Sequence, residues 1–191
     1  FRRVRETVRA DYEIAFDAHA KIFEPKQAIQ LGNALAPYDP LFFEEPIRPE
    51  NIEAWGEIKR GLACTLATGE SLYNRFEFLR LLQAKGADII QPDICLCGGI
   101  MEMKKIAAMA EAHGVTVAPH NPSGPIATAA SIHVCAGMKN FHILEMQWGE
   151  VDWRGRLLKP EEKFVNGEIA VSDAPGLGVT VDETLAAKFL A

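Results

Sequence analysis

Cys64-Thr65-Leu66-Ala67-Thr68-Gly69-Glu70 and, some twenty residues on, Asp88-Ile89-Ile90-Gln91-Pro92-Asp93 are two short apolar runs, each closed by a carboxylate. Between them, Asn74 to Ala84 has a helical pattern, with Asn74 placed to cap its first turn. Neither run alternates apolar with polar residues. That is expected of parallel strands covered on both faces.

The unit repeats in both directions. Upstream, Tyr12 to Phe16 reads as a strand, Pro25 to Leu35 as a helix opened by its proline, Leu41 to Phe43 as a strand and Glu50 to Arg60 as a helix. Downstream, Ile100 to His113 reads as a helix stopped at Gly114, Val115 to Ala118 as a strand, Pro125 to Cys135 as a helix and His142 to Leu144 as a sixth strand. Polar residues end the strands at Asp17, Glu44, Glu70, Asp93, His120 and Glu145, separated by 27, 26, 23, 27 and 25 positions on subtraction. A (β/α)8 barrel of about 250 residues spends roughly 30 on each unit and builds its site from the C-terminal strand ends. An ionisable group at six successive strand ends favours a barrel over an open doubly wound sheet. The expectation is therefore α/β: about six strands of a TIM-like barrel in residues 1–149, with two units missing upstream. Residues 150–191 read as an extension beside it, with turns at Asn166-Gly167 and Pro175-Gly176 and a helical run from Asp182 to Leu190. The opening Phe1 to Glu6 reads as a basic helical face cut mid-element, so a longer natural chain is expected.

A net charge of −6 argues against a face that tracks nucleic-acid phosphates or anionic lipid, and no apolar run is long enough to span a membrane. Cys95 and Cys97 are too close for the usual paired zinc spacing. With Cys64 and Cys135 they read as reduced thiols of a cytoplasmic protein.

Asp17, Glu44 and Glu70 end three consecutive strands. Gathered at one rim they would repel one another and call for a cation, and hard oxygen donors suit Mg²⁺. Glu45 follows Glu44 directly; adjacent strand residues face opposite sides, so only one of the two should reach a metal, and the pattern does not choose between them. His19, two residues beyond Asp17, would face the same side at strand spacing, near the metal, as an acid or base. Asp93 and His120 end neighbouring strands, where the carboxylate would orient the imidazole and raise its basicity. His113, His133 and His142 fall in a helix end, a helix interior and a strand start, away from the rim.

The strings FDAH (16–19), FFEEP (42–46), ATGES (67–71), QPDICLCGGI (91–100) and APHNPSGP (118–125) resemble the enolase superfamily, in its mandelate racemase/muconate lactonizing branch, and are most similar to galactonate-type sugar-acid dehydratases. The resemblance runs from about Tyr12 to Gly149. It implies the C-terminal part of a (β/α)7β barrel whose first strands and N-terminal capping domain are not in this sequence. It also implies one Mg²⁺ per site on Asp17, Glu44 and Glu70, a base His120 with partner Asp93, Glu145 hydrogen-bonded to the substrate carboxylate, and His19 protonating the departing hydroxyl. The implied reaction is dehydration of a sugar acid to a 2-keto-3-deoxy acid through an enediolate. The partner implied is a small-molecule sugar acid, in a cytoplasmic homo-oligomer, a dimer or octamer. Two other readings stand beside it: a racemase, epimerase or cycloisomerase of the same scaffold, and a non-catalytic or truncated metal-binding chain.

Overall fold

The computed structural model describes residues 1–189. Helix α1 (Arg2–Thr7) leads into β1 (Phe16–Asp17), and four repeats follow: α2 (Pro25–Leu35) and β2 (Phe43–Glu44), α3 (Ile52–Gly61) and β3 (Leu66–Thr68), α4 (Arg75–Gln83) and β4 (Ile89–Ile90), α5 (Ile100–Ala112) and β5 (Thr116–Val117). Helix α6 (Pro125–Ala136) closes the repeating part. The helices begin where their signals stand. Pro25 is in the first turn of α2, and the Asn74 side chain accepts from the amides of Phe76 and Glu77. At the end of α5 the chain turns through Gly114 at φ +70, a conformation that suits glycine.

The five strands are all parallel and pair in chain order, β1-β2-β3-β4-β5. An open doubly wound sheet reverses its strand order at a switch point. This one does not, and it forms an arc of a barrel. Both faces are apolar. Leu66, Ile90 and Val117 pack with Trp55, Phe78 and Ile106 of the helices, while their neighbours Ala67, Ile89 and Ala118 form a second cluster with Phe42 on the other face. Strands β3 and β4 are buried throughout and have no solvent side, which is why their runs show no polar alternation, while β1 at the edge leaves Asp17 exposed.

The sixth strand expected at His142 to Leu144 is reduced to one parallel bridge, Val117 to Phe141. The Val117 amide donates to Asn140 and the His142 amide to Val117, at 2.9 and 2.8 Å. The next rung would need an amide proton at position 119, and Pro119 has none. The chain slips, and the Glu145 amide donates to the Pro119 carbonyl at 3.2 Å. The segment still lies beside β5 and brings Glu145 to the rim, although it is not a continuous strand.

Beyond residue 149 the chain forms a 3-10 turn (Arg154–Leu157), an antiparallel pair of β6 (Leu158–Lys159) and β7 (Thr180–Val181), and the short helix α7 (Glu183–Ala186). The helical run expected from Asp182 to Leu190 becomes α7, capped by the Asp182 carboxylate at the Leu185 amide, and a 3-10 turn over Ala187–Phe189. Leu190 lies outside the described residues. The Asn166-Gly167 signal makes a tight turn with φ of +54 and +80, bridged by Val165 and Glu168. Among the described residues no helix is long and apolar enough to cross a membrane.

The cysteines differ in access. Cys95 is exposed and Cys64 half-buried, while burial pushes the Cys97 thiol up to about 11 and that of Cys135 up to about 12. A thiol reagent at pH 8, with sites mapped by mass spectrometry, should modify Cys95 first and leave Cys97 and Cys135 until the protein is denatured. Labelling of Cys135 at the rate of Cys95 would contradict the packing of α6.

Candidate active site

Strands β1, β2 and β3 end at the same level because their registers pair Asp17 with Glu44 and Glu44 with Ala67. Glu70 stands three residues beyond Ala67, past Gly69. The φ of +127 at Gly69 is one that L side chains rarely adopt, and a Cβ there would lie 2.8 Å from Phe78. Glycine lets the chain turn over Phe78 and aim Glu70 back at the rim. One oxygen from each of Asp17, Glu44 and Glu70 then lies within 4.8 Å of the other two.

Glu44 and Glu45 part company here. Glu44 joins the cluster. Glu45 has no exposed surface, and its Oε2 accepts hydrogen bonds from the Thr68 hydroxyl and the Gly69 amide, fastening the turn that carries Glu70. Burial first, then neighbouring carboxylates, pushes both glutamates up to about 7; a Gln91 hydrogen bond opposes this at Glu44, and the Thr68 and Gly69 bonds oppose it at Glu45.

His19 lies beside Asp17, but strand alternation does not put it there. The strand ends at Asp17, and His19 and Ala20 both have φ of +53. In the resulting turn the His19 amide donates to Asp17 Oδ1 at 2.6 Å, and its Nδ1 lies 2.7 Å from Oδ2. The hydrogen bond to Asp17, then the charges of Asp17 and Glu70, raise the His19 pKa.

On the other side of the cluster, His120 Nδ1 is 2.8 Å from Asp93 Oδ2, and Asp93 Oδ1 accepts from the Cys95 amide at 2.6 Å. With Nδ1–H donating to Asp93, His120 Nε2 carries a lone pair; it lies 3.6 Å from Glu70 and 3.9 Å from Glu145. Burial opposes charge on His120 more than any other single influence. The Asp93 hydrogen bond and the charges of Glu145, Glu70 and Asp93 together outweigh it, and the net shift is upward. Burial acts likewise on Asp93, where the hydrogen bonds from His120 and the Cys95 amide prevail and hold the carboxyl below its usual range. Glu145 Oε2 accepts from the Asn121 amide at 2.8 Å.

All seven residues expected at the site converge on this rim. The remaining histidines do not: His113 caps the end of α5, His133 Nε2 meets the Leu177 carbonyl at 3.1 Å, and His142 sits in the slipped ladder. Sequence reasoning passed over Gln91, Thr68 and Asn121, which hold Glu44, Glu45 and Glu145 in turn. Gln91 precedes Asp93 by two positions and Asn121 follows His120. Buried amides beside strand-end acids were the available signal.

The donor set fits a divalent cation. It is three hard carboxylates, and the charge partners of Asp17 and Glu70 are histidines rather than lysine or arginine. Both Asp17 oxygens accept from His19, yet each keeps a second lone pair.

A family model described as "Enolase C-terminal domain-like" matches residues 1–185. Over 187 residues the chain is 40% identical to a D-galactonate dehydratase of Cronobacter sakazakii, covering 95% of this chain and 49% of that protein. A solved Agrobacterium radiobacter structure, described as an enolase and provisionally as a galactarate dehydratase with sodium and L-malate bound, is 56% identical with a TM-score of 0.93, over 98% of this chain and 51% of that one. A mandelate racemase/muconate lactonizing enzyme structure from Burkholderia, itself provisionally assigned, is 37% identical with a TM-score of 0.94, over 100% of this chain and 47% of that one. The chain thus spans about half the length of the relatives it matches. A parallel barrel arc with acids at successive strand ends, a family model over nearly the whole chain and these relatives agree: the chain belongs to the enolase superfamily, as a C-terminal domain of the mandelate racemase/muconate lactonizing branch.

Proposed function

We propose that the full-length protein dehydrates a sugar acid of the aldonate class to a 2-keto-3-deoxy acid, with residues 1–149 carrying the chemistry and residues 150–191 packed against them. The observation that carries this reading is the pair of histidines flanking the three-carboxylate cluster, each bonded to a carboxylate of its own. Loss of water across C2 and C3 needs a base for the C2 proton and an acid for the 3-hydroxyl, and one histidine cannot be both at once.

Asp17, Glu44 and Glu70 would hold Mg²⁺, which when bound supplies Lewis-acid polarisation of the substrate carboxylate. His120 Nε2 takes the C2 proton, and Asp93 keeps the imidazole in the tautomer that leaves this nitrogen free and then stabilises the imidazolium. Glu145, whose Oε2 lies 3.9 Å from His120 Nε2, would face the substrate carboxylate. His19, whose raised pKa favours the protonated ring, donates to the leaving 3-hydroxyl and releases water. The enol that remains tautomerises to the 2-keto acid.

The test is a screen of the full-length protein with Mg²⁺ against a library of aldonic and uronic-derived acids, trapping 2-keto acids as semicarbazones. Product from one or a few acids, abolished by EDTA, is the expected result. If no acid gives product while some exchange their C2 proton with deuterium, the dehydratase reading fails and an isomerase replaces it.

A further inference from the structure

Arg154 is the cation of the described residues with an unusual address. It comes from the segment beyond the barrel, yet only 7% of its surface is exposed. Its Nε donates to Glu162 Oε2 at 3.2 Å, within its own segment. Its other two nitrogens reach into the barrel: Nη1 donates to the Ser123 carbonyl and Nη2 to the Thr128 hydroxyl, each at 3.0 Å. Thr128, fully buried on α6, also accepts from Asn121 Nδ2 at 2.9 Å, and its own proton is directed at Met146 Sδ, 3.9 Å away. Two acceptances and one donation use the whole capacity of a hydroxyl, so the Thr128 rotor is fixed. Asn121 then holds the last strand end twice: its side chain donates to the Glu145 carbonyl at 3.1 Å and its amide to Glu145 Oε2 at 2.8 Å.

The bonds form an unbroken path from Glu162 through Arg154, Thr128 and Asn121 to Glu145. A second bond from Arg154 clamps the loop that begins at His120. We propose that Arg154 is a positioning residue: the C-terminal segment uses it to fix Asn121, and through Asn121 the placement of Glu145 against His120. The consequence for turnover rests on the roles proposed above for His120 and Glu145; the positioning itself does not. The geometry suits the task. A planar guanidinium bonds three acceptors in fixed directions, which a lysine cannot do. A buried hydroxyl and amide that lose a partner have no water to turn to, so a break at one end is felt along the path.

The experiment measures hydrogen exchange by mass spectrometry on the full-length protein, comparing wild type with Arg154→Met and Thr128→Val. Thr128→Val keeps the shape of the side chain and leaves the Arg154 bonds to Ser123 and Glu162 in place, so it reports on the path even if Arg154→Met does not fold. Both variants should speed exchange in the peptide covering 119–124 by about tenfold while α3, α4 and α5 exchange at the wild-type rate, and the double variant should add little to either one. With any acid that the screen above finds to be dehydrated, kcat/KM should fall roughly ten- to a hundredfold in each. Unchanged exchange at 119–124 overturns the proposal. So does a uniform rise across α6 and residues 150–189, which a merely structural role would give. Faster exchange confined to 119–124 in a protein whose wild type dehydrates no acid supports the positioning and sinks the dehydratase reading alone.

Discussion

His120→Asn in the full-length protein should remove C2 proton exchange and 2-keto acid formation together, each by about a thousandfold. His19→Ala should split them. C2 exchange should survive within a few-fold, and dehydration should fall by about a hundredfold or more. The reason is geometric. His120 Nε2 lies against Glu70 and Glu145, with Asp93 behind it holding Nδ1, while His19 stands across the carboxylate cluster on Asp17. Asparagine at 120 can still bond Asp93, so the rim should keep its shape while the base is lost. His19 is exposed, so its removal leaves no buried cavity. Deuterium incorporation followed by NMR and keto-acid release followed by semicarbazone absorbance separate the two steps. If His19→Ala leaves both rates intact, His19 is not the acid; if it stops both, the two histidines do not divide the work as proposed.

The barrel was readable because its rhythm is coarse. Spacings of 23 to 27 residues between strand-end ionisable residues survive errors of two residues in any boundary, and α2 runs from Pro25 to Leu35 as expected. The strands were overread. Apolar runs of three to five residues became ladders of two or three, or a single bridge, because ladder length depends on neighbours as well as on the run. Pro119 shows the limit: it stood in plain sight as part of a motif, but its cost falls on the partner segment at 140–145, where it breaks a rung. His19 was placed correctly for an incorrect reason. Strand alternation suggested a shared face, whereas two residues at φ +53 fold the ring back onto Asp17. The choice between Glu44 and Glu45 was left open by pattern because alternation says that one turns away without saying which. Glu45 turns away to the Thr68 hydroxyl and Gly69 amide, partners a neighbouring strand supplies. The Arg154 path is the least legible feature, since it joins positions 121, 128, 145, 154 and 162 without any periodicity.

Affinity for Mg²⁺, or for Mn²⁺ as a spectroscopic probe, should rise on the order of fiftyfold from pH 5 to pH 7 and flatten above it, with one proton released per ion at the acid end. Glu44 sets this. Burial, followed by the charges of Asp17, Glu70 and Glu145, pushes its carboxyl up to about 7, and a proton on it must leave before it can bind an ion. The metal-free protein should show the opposite slope. A carboxyl whose folded pKa lies above its unfolded value stabilises the fold below the unfolded value, near 4.5, and loses that contribution as pH rises through about 7. The apo protein should therefore melt lower at pH 8 than at pH 6, and added ion should close the gap. Two neighbours titrate alike here, and substitution tells them apart. Glu44→Gln should weaken binding at pH 8 and erase the slope between pH 5 and 7. Glu45→Gln keeps acceptors for Thr68 and Gly69, and it should leave the binding slope in place while reducing the loss of apo stability between about pH 4.5 and 7. Binding that is flat across pH 5 to 7 would mean that Glu44 is already ionised at pH 5; a slope that survives Glu44→Gln and vanishes with Glu45→Gln would mean that the cluster's proton sits on the buried glutamate, and that Glu44 is not the ligand whose charge the ion must claim.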